Sequence, residues 1–246
     1  MPWFDKFFDG LYADVLPSTF DAAKTARHVR IVKRLLRLRP GQRVLDVPCG
    51  MGRIAVPLAE KGLRVTGVDF TASYLRRARQ TAKTAGVAAR WVCRDMRRID
   101  FREEFDAAFN WFGSFGYFSD RDNLAFARRV RAALRPGGRF LVEGLNKTWL
   151  VRHLRPGSEE MIGGVRVVHR SRWDTRHSRV RDLWTFSRGR RVERHRISMC
   201  IYSGPEMRTL LRAAGFRDVE LYGYPPLGRL TRHSRRQIAV GHRPWT

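Results

Sequence analysis

The sequence predicts an α/β fold: a doubly wound sheet of seven strands carrying an inserted antiparallel β cap. Three observations carry this reading. Short apolar runs alternate with amphipathic helical segments, a glycine turn closes the first run, and a late block is rich in β-branched, aromatic and arginine residues.

Val29, Ile31, Val32, Leu35, Leu36 and Leu38 mark a helix that Pro40-Gly41 stops. Regular alternation follows: strand 43–47, helix 53–61, strand 64–68, helix 72–85, strand 89–93, strand 105–111, helix 121–134 and strand 138–143. Such continuous apolar strands suit a parallel sheet covered on both faces. After Gly144 three runs, 164–173, 178–187 and 190–202, are separated by short polar breaks and read as hairpins. A helix at 205–214, ended by Gly215, and strands at 217–223 and 236–242 resume the first pattern. The expected division is therefore 1–145 with 203–246 as one domain and 146–202 as an inserted antiparallel β cap that forms the substrate pocket.

The net charge of +26 would favour a polyanion partner through counterion release. Only six of the 49 basic residues are lysines, however, and the arginines recur along the whole chain, as a codon bias would also produce. Cys49, Cys93 and Cys200 are widely spaced and form no CxxC pair, so reduced thiols and no metal site are expected. No apolar run reaches the roughly 20 residues of a membrane span, and the opening MPWFDKFFDG lacks a signal-peptide layout, so a cytoplasmic protein is expected.

Residues 44–52, Val-Leu-Asp-Val-Pro-Cys-Gly-Met-Gly, end a buried strand in an acid and a turn that lets a ligand approach the backbone closely. A second acid, Asp69, ends the next strand 23 residues after Asp46, where nucleotide-binding folds place a ribose acceptor. A dinucleotide site needs GxGxxG, and the spacing here fails. The segment instead resembles the first motif of class I S-adenosylmethionine-dependent methyltransferases, an acid followed by x-G-x-G-x-G, here DVPCGMG. VTGVDFT (65–71), CRDMRRID (93–100), FDAAFNWFGSFGYFSD (105–120) and LRPGGRFLVEG (134–144) resemble that family's later motifs in order.

The resemblance implies a Rossmann-like fold and S-adenosylmethionine as cofactor. Gly50 and Gly52 would pass close to its methionine part, with Asp46 orienting the turn. Asp69 would bind the ribose, Phe70 would pack on the adenine, Asp95 and the Met96 N–H would read the adenine edge, and Asn110 would line the methionine moiety. Pro48 departs from the motif's first glycine; it excludes an N–H contact there but leaves carbonyl and packing roles. The chain is most similar to small-molecule methyltransferases of the sugar amine or glycine/sarcosine type, whose N-terminal segment closes over the cofactor. Tyr12 in FFDGLYADVL would then rest on it.

Trp111, Phe112, Phe115 and Tyr117 follow the fourth strand at its ligand-facing end and are the candidate substrate wall. Methyl transfer needs an oriented nucleophile and excluded water, and a hydroxyl acceptor gains from a base. His169 and His195, on insertion strands, are the candidates for that base. Arg166, Arg170, Arg172, Arg179, Arg181, Arg194 and Arg196 lie on the same strands; most are expected to face solvent, with one or two reaching an anionic substrate. The reading is methyl transfer to N or O of a small molecule in specialised metabolism. Two others stay open: an RNA methyltransferase using the basic surface and aromatics, and a protein that keeps the cofactor for an isomerisation or cyclisation.

Overall fold

The structure, a computed structural model, describes residues 3–245. Its strands, in chain order, are β1 (Arg43–Asp46), β2 (Arg64–Asp69), β3 (Arg90–Cys93), β4 (Phe105–Asn110), β5 (Leu134–Leu145), β6 (Gly157–Ile162), β7 (Val165–Asp174), β8 (Arg179–Arg188), β9 (Arg191–Cys200), β10 (Arg217–Tyr224), β11 (Gly228–Arg229) and β12 (Arg236–His242). The helices are α1 (Phe4–Phe7), α2 (Leu11–Val15), α3 (Ala22–Leu35), α4 (Ala55–Ala59), α5 (Ala72–Thr84), α6 (Asp120–Ala133), α7 (Lys147–His153) and α8 (Gly204–Ala213), with 3-10 turns at Leu16–Thr19 and Met96–Arg98.

The central sheet runs β11-β10-β12-β5-β4-β1-β2-β3. The five strands β1 to β5 pair in parallel, whereas β12 is antiparallel to both β5 and β10. All seven expected strands are present. The eighth, β11, is a two-residue edge too short and polar to leave a hydrophobic period in the sequence.

Alternation splits the strand residues between two cores. Leu45, Ala108, Phe140, Val142 and Ala239 pack with Phe126 and Val130 of α6 and Leu211 of α8. Their neighbours Val44, Phe109, Leu141, Ile238 and Val240 pack on the opposite face with Val29 and Val32 of α3 and Leu58 of α4. Each fully buried Phe or Leu contributes about 1.5–3 kcal/mol, so both helix layers are held by the sheet itself.

The second sheet, β6-β7-β8-β9, is an antiparallel meander. Its first strand, GSEEMI, carries no apolar alternation and escaped the pattern reading. Arg166, Arg170, Arg172, Arg181, Arg194 and Arg196 are exposed, and register puts them on one face. On the other face Val165, Val167, Phe186 and Ile197 bury Phe7, Leu11 and Val15 of α1 and α2. The N-terminal segment is thus a middle layer between the two sheets. Arg179 differs from the other arginines: it donates to the Phe118 carbonyl (3.1 Å) and to Ser198. The end of β9 is tied to the aromatic loop, where the Cys200 N–H donates to the Gly116 carbonyl at 2.8 Å.

One buried polar group fastens α3. His28, 4% exposed, bonds through Nε2 to Tyr224 Oη of β10 (2.9 Å) and through Nδ1 to Arg53 Nη1 (3.1 Å). A guanidinium only donates, so Nδ1 accepts and Nε2–H donates to the tyrosine oxygen. Burial first, then the charges of Arg53, Arg236, Lys24 and Arg27, lowers the pKa of His28 from 6.5 to about 3. The unfolded chain therefore binds the extra proton, and the stabilisation from neutral His28 is full above pH 6.5 and is lost as pH falls toward 3. His28→Gln should flatten that part of the urea-midpoint profile; parallel wild-type and variant profiles would exclude this role. Gly116 has φ of +129°, and a Cβ there would lie 2.2 Å from the Cys200 carbonyl oxygen. Gly116→Ala should cost about 1–3 kcal/mol in urea unfolding; an unchanged midpoint would show that the loop is not clamped to β9.

Candidate active site

The carboxyl ends of β1, β2 and β4 and the loop after β3 open into a cavity of about 690 Å³, roofed by α1, α2 and the segment leading into α3. Its polar floor is the glycine turn. The Gly50 N–H donates to Asp69 Oδ2 and the Thr71 N–H to Asp69 Oδ1, each at 2.9 Å. A carboxylate oxygen has two acceptor sites, so both oxygens keep capacity for a ligand hydroxyl. Burial raises the Asp69 pKa, against the N–H bonds from Thr71 and Gly50. The turn's Gly50 N–H is accepted by Asp69 on the next strand and not by Asp46, the residue expected to orient the turn. Asp46 lines the cavity, where burial pushes its carboxyl well above the ordinary range, opposed by Arg53 and reinforced by Asp69.

The two glycines have different reasons. At Gly50, with φ of +54°, a Cβ would meet nothing within 4 Å. At Gly52, with φ of +77°, it would lie 2.9 Å from the Trp91 ring and 3.1 Å from Ala78. Gly52 is therefore set by packing of β3 and α5 and does not line the cavity, whereas Pro48 and Cys49 do. Burial, then Asp46 and Asp69, pushes the Cys49 thiol up, which leaves it a packed residue rather than a nucleophile.

Phe70, Asp95 and Met96 line the next stretch of wall. Burial opposes the charge of Asp95, but the Arg97 side chain and N–H bond it at 2.6–3.2 Å and hold its pKa below the ordinary value. Asn110 is fully buried behind this wall. Its Nδ2 donates to the Val47 carbonyl (2.8 Å) and meets the Met96 sulfur at 4.0 Å, while its Oδ1 has no partner among the described residues.

The roof is aromatic. Tyr12 packs on Phe7 (4.3 Å between centroids) and lines the cavity with Phe4, Phe8, Trp111, Phe112 and Tyr117. Phe112 sits at φ of +71° because its N–H donates to Glu143 Oε2 (2.8 Å), which is itself paired with Arg236. Phe115, expected in the same wall, turns into the core against Phe126 and Tyr202. Gly113 and Gly116 bend the loop on either side of Phe115, which leaves it facing the core while Trp111, Phe112, Tyr117 and Phe118 line the cavity.

His169 and His195 are not in the cavity wall. His169 stacks on Trp184 (4.9 Å) and bonds Ser158 Oγ (2.8 Å). His195 packs against Phe7 and Phe186. Both belong to the sheet face that backs the N-terminal segment. The expected β pocket wall is corrected in the same way: every lining residue among those described lies between positions 4 and 118, and the second sheet reaches the cavity through what it supports, α1 and α2 on one side and, through Arg179 and Cys200, the aromatic loop on the other. Conversely, Arg53, Phe20 and Tyr74 line it unforeseen. An arginine directly after the turn's second glycine was the available signal for the first; the other two read as ordinary core positions.

Comparison with known proteins gives a consistent picture. Residues 44–138 match a family described as a methyltransferase domain. The ubiquinone biosynthesis O-methyltransferase of Bradyrhizobium diazoefficiens is 34% identical over 116 residues, 47% of this chain and 45% of that protein. An S-adenosyl-L-methionine-dependent Diels-Alderase of Talaromyces variabilis is 34% identical over 145 residues, 54% of this chain and 47% of that protein. The matches thus span less than half the length of these relatives. Among solved structures, an S-adenosylmethionine-bound amino pentose methyltransferase from Micromonospora echinaspora superposes with a TM-score of 0.66 at 22% identity, covering 96% of this chain and 97% of that one. Residues 44–138 thus match a methyltransferase domain, and the fold around them, with its sheet order, is like that of the solved S-adenosylmethionine-dependent methyltransferases.

Proposed function

We propose that this protein transfers a methyl group from S-adenosylmethionine to a nitrogen or oxygen of a small, largely apolar acceptor held under the N-terminal segment. The observation that carries this reading is one continuous cavity with a hydrogen-bonding floor, Gly50, Asp69 and Asp95, and an aromatic roof, Tyr12, Trp111, Phe112 and Tyr117. The residues fit the cofactor: space stands open at Gly50 and Asp69 keeps acceptor capacity, whereas Asn110, expected to line the methionine part, is fully buried and is not in the cavity wall. S-adenosylmethionine, when bound, supplies an electrophilic methyl on a sulfonium.

The chain's own part is positioning and exclusion of water. Asp69 would hold the ribose hydroxyls and Phe70 the adenine, while Tyr12 and Tyr117 close the far side. No imidazole lines the cavity among the described residues, and burial raises Tyr12, Tyr74 and Tyr117, which stay protonated at neutral pH. That wall suits an acceptor arriving with its lone pair free, such as a neutral amine, better than an alcohol needing a base. The insertion, 146–202, acts in this reading as the support of the roof. Its exposed arginines lie on the face turned away from the N-terminal segment, which weighs against RNA as the substrate.

Calorimetry with S-adenosylmethionine and S-adenosylhomocysteine should show binding of both, and binding of neither would sink the assignment. Asp69→Ala should weaken both by ~10-fold or more, since a hydrogen bond to a charged acceptor is lost. An intact affinity would remove the ribose role. Formation of S-adenosylhomocysteine during turnover separates methyl transfer from an isomerisation or cyclisation that leaves the cofactor unchanged.

A further inference from the structure

Arg53 sits in the cavity wall between the glycine turn and α4, its guanidinium 3.8 Å above the Phe20 ring. Both of its hydrogen bonds leave from one nitrogen: Nη1 donates to Thr25 Oγ1 (3.3 Å) and to His28 Nδ1 (3.1 Å). The opposite edge, Nε–H with the facing Nη2–H, is the pair of parallel donors that matches two carboxylate oxygens. Among the described residues neither nitrogen of that edge is hydrogen-bonded: the carboxylates of Asp46 and Glu143 act on the guanidinium through space only, whereas Arg94 and Arg236 pair directly with Asp100 and Glu143.

We propose that Arg53 is a carboxylate-binding group of this cavity, aimed by the neutral imidazole of His28. The imidazole can accept from Nη1 only while Nδ1 is unprotonated, and its donation to Tyr224 Oη fixes that tautomer. Thr25 takes the second Nη1 hydrogen and Phe20 supports the plane, so rotation about the last bonds of the side chain is blocked on three sides. A carboxylate suits the site better than a phosphate, because a single guanidinium in an aromatic wall would leave a dianion's second charge unpaired. The ligand group is either the amino-acid end of the cofactor or a carboxylate on the acceptor; the chemistry is the same. The proposal rests on the methyltransferase reading for the ligands' names but not for the recognition itself.

The test uses calorimetry on the whole chain, comparing wild type with Arg53→Met, which keeps the stem over Phe20 but removes the fork. Three probes are used: S-adenosylhomocysteine; 5′-methylthioadenosine, which shares the nucleoside but lacks the carboxylate; and benzoate, added to the protein with and without S-adenosylhomocysteine. If the cofactor supplies the carboxylate, Arg53→Met weakens S-adenosylhomocysteine by ~10-fold or more and leaves methylthioadenosine unchanged, which also shows the variant is folded. If the acceptor supplies it, both nucleosides bind the variant normally and benzoate binds wild type but not the variant. His28→Gln should lower the preference for S-adenosylhomocysteine over methylthioadenosine, a ratio that a general loss of packing would not move. The proposal is overturned if Arg53→Met changes neither S-adenosylhomocysteine nor benzoate binding, or if benzoate fails to bind wild type and S-adenosylhomocysteine is indifferent to Arg53. Failure of the methyltransferase reading looks different: neither nucleoside binds wild type, and benzoate on the unliganded protein alone then decides the fate of the Arg53 site.

Discussion

The structure depends on one carboxylate shared by two chain segments. Asp69, at the end of β2, accepts the Gly50 N–H from the turn after β1 and the Thr71 N–H at the start of α5. These bonds fix the turn's distance from the neighbouring strand. They also keep open the space above Gly50, where any side chain would narrow the cavity. Burial raises the Asp69 pKa and those donors oppose the rise, so the turn and the acid each support the other. The position of Asp46, Cys49 and Arg53 around the same turn follows from that fixed point.

The central sheet was legible because its signal is redundant. Alternation at Val44 and Leu45, and again at Ala108 and Phe109, feeds two cores at once, and each helix repeats the message at its own period. Gly50, Asp69, Phe70, Asp95 and Met96 could be placed from motif order alone, since they follow strand ends. Gly52 shows the limit: glycine says that a side chain is excluded, not by what, and here the excluder is Trp91. Phe115 could not be separated from Phe112 for a similar reason, because the glycines that send them to opposite sides act through backbone angles. His28 was unreadable as a polar anchor, being one histidine on the apolar face of α3, and its partners Arg53 and Tyr224 are brought to it only by the fold.

The late block of strands was recognised as an antiparallel unit but misplaced in its work. Imidazoles on alternating positions suggest a pocket wall, whereas most of the arginines beside them are expected to face solvent. The register does send those arginines outward, but His169 and His195 stay on the face that covers the N-terminal segment and reach no cavity wall. What decides between these outcomes is which object fills the space between the sheets, and that object, α1 with α2, is too short to announce itself by periodicity.

Helices of four and five residues have no stability of their own in water. Those of the N-terminal segment borrow it on one side from the second sheet, through Phe7 and Leu11 and through the Glu193 carboxylate that receives the Leu11 N–H. On the other side they borrow it from α5, through Ser73 with Asp9 and Arg77 with the Ala13 carbonyl. The cavity is the third lender. Whatever occupies it adds contacts to Phe4, Phe8 and Tyr12, so filling the cavity and ordering its roof are one equilibrium. A molecule already inside, by completing the roof, sets the escape rate of everything beneath it, and the distant meander of β6 to β9 becomes a partner in ligand residence time without touching a ligand.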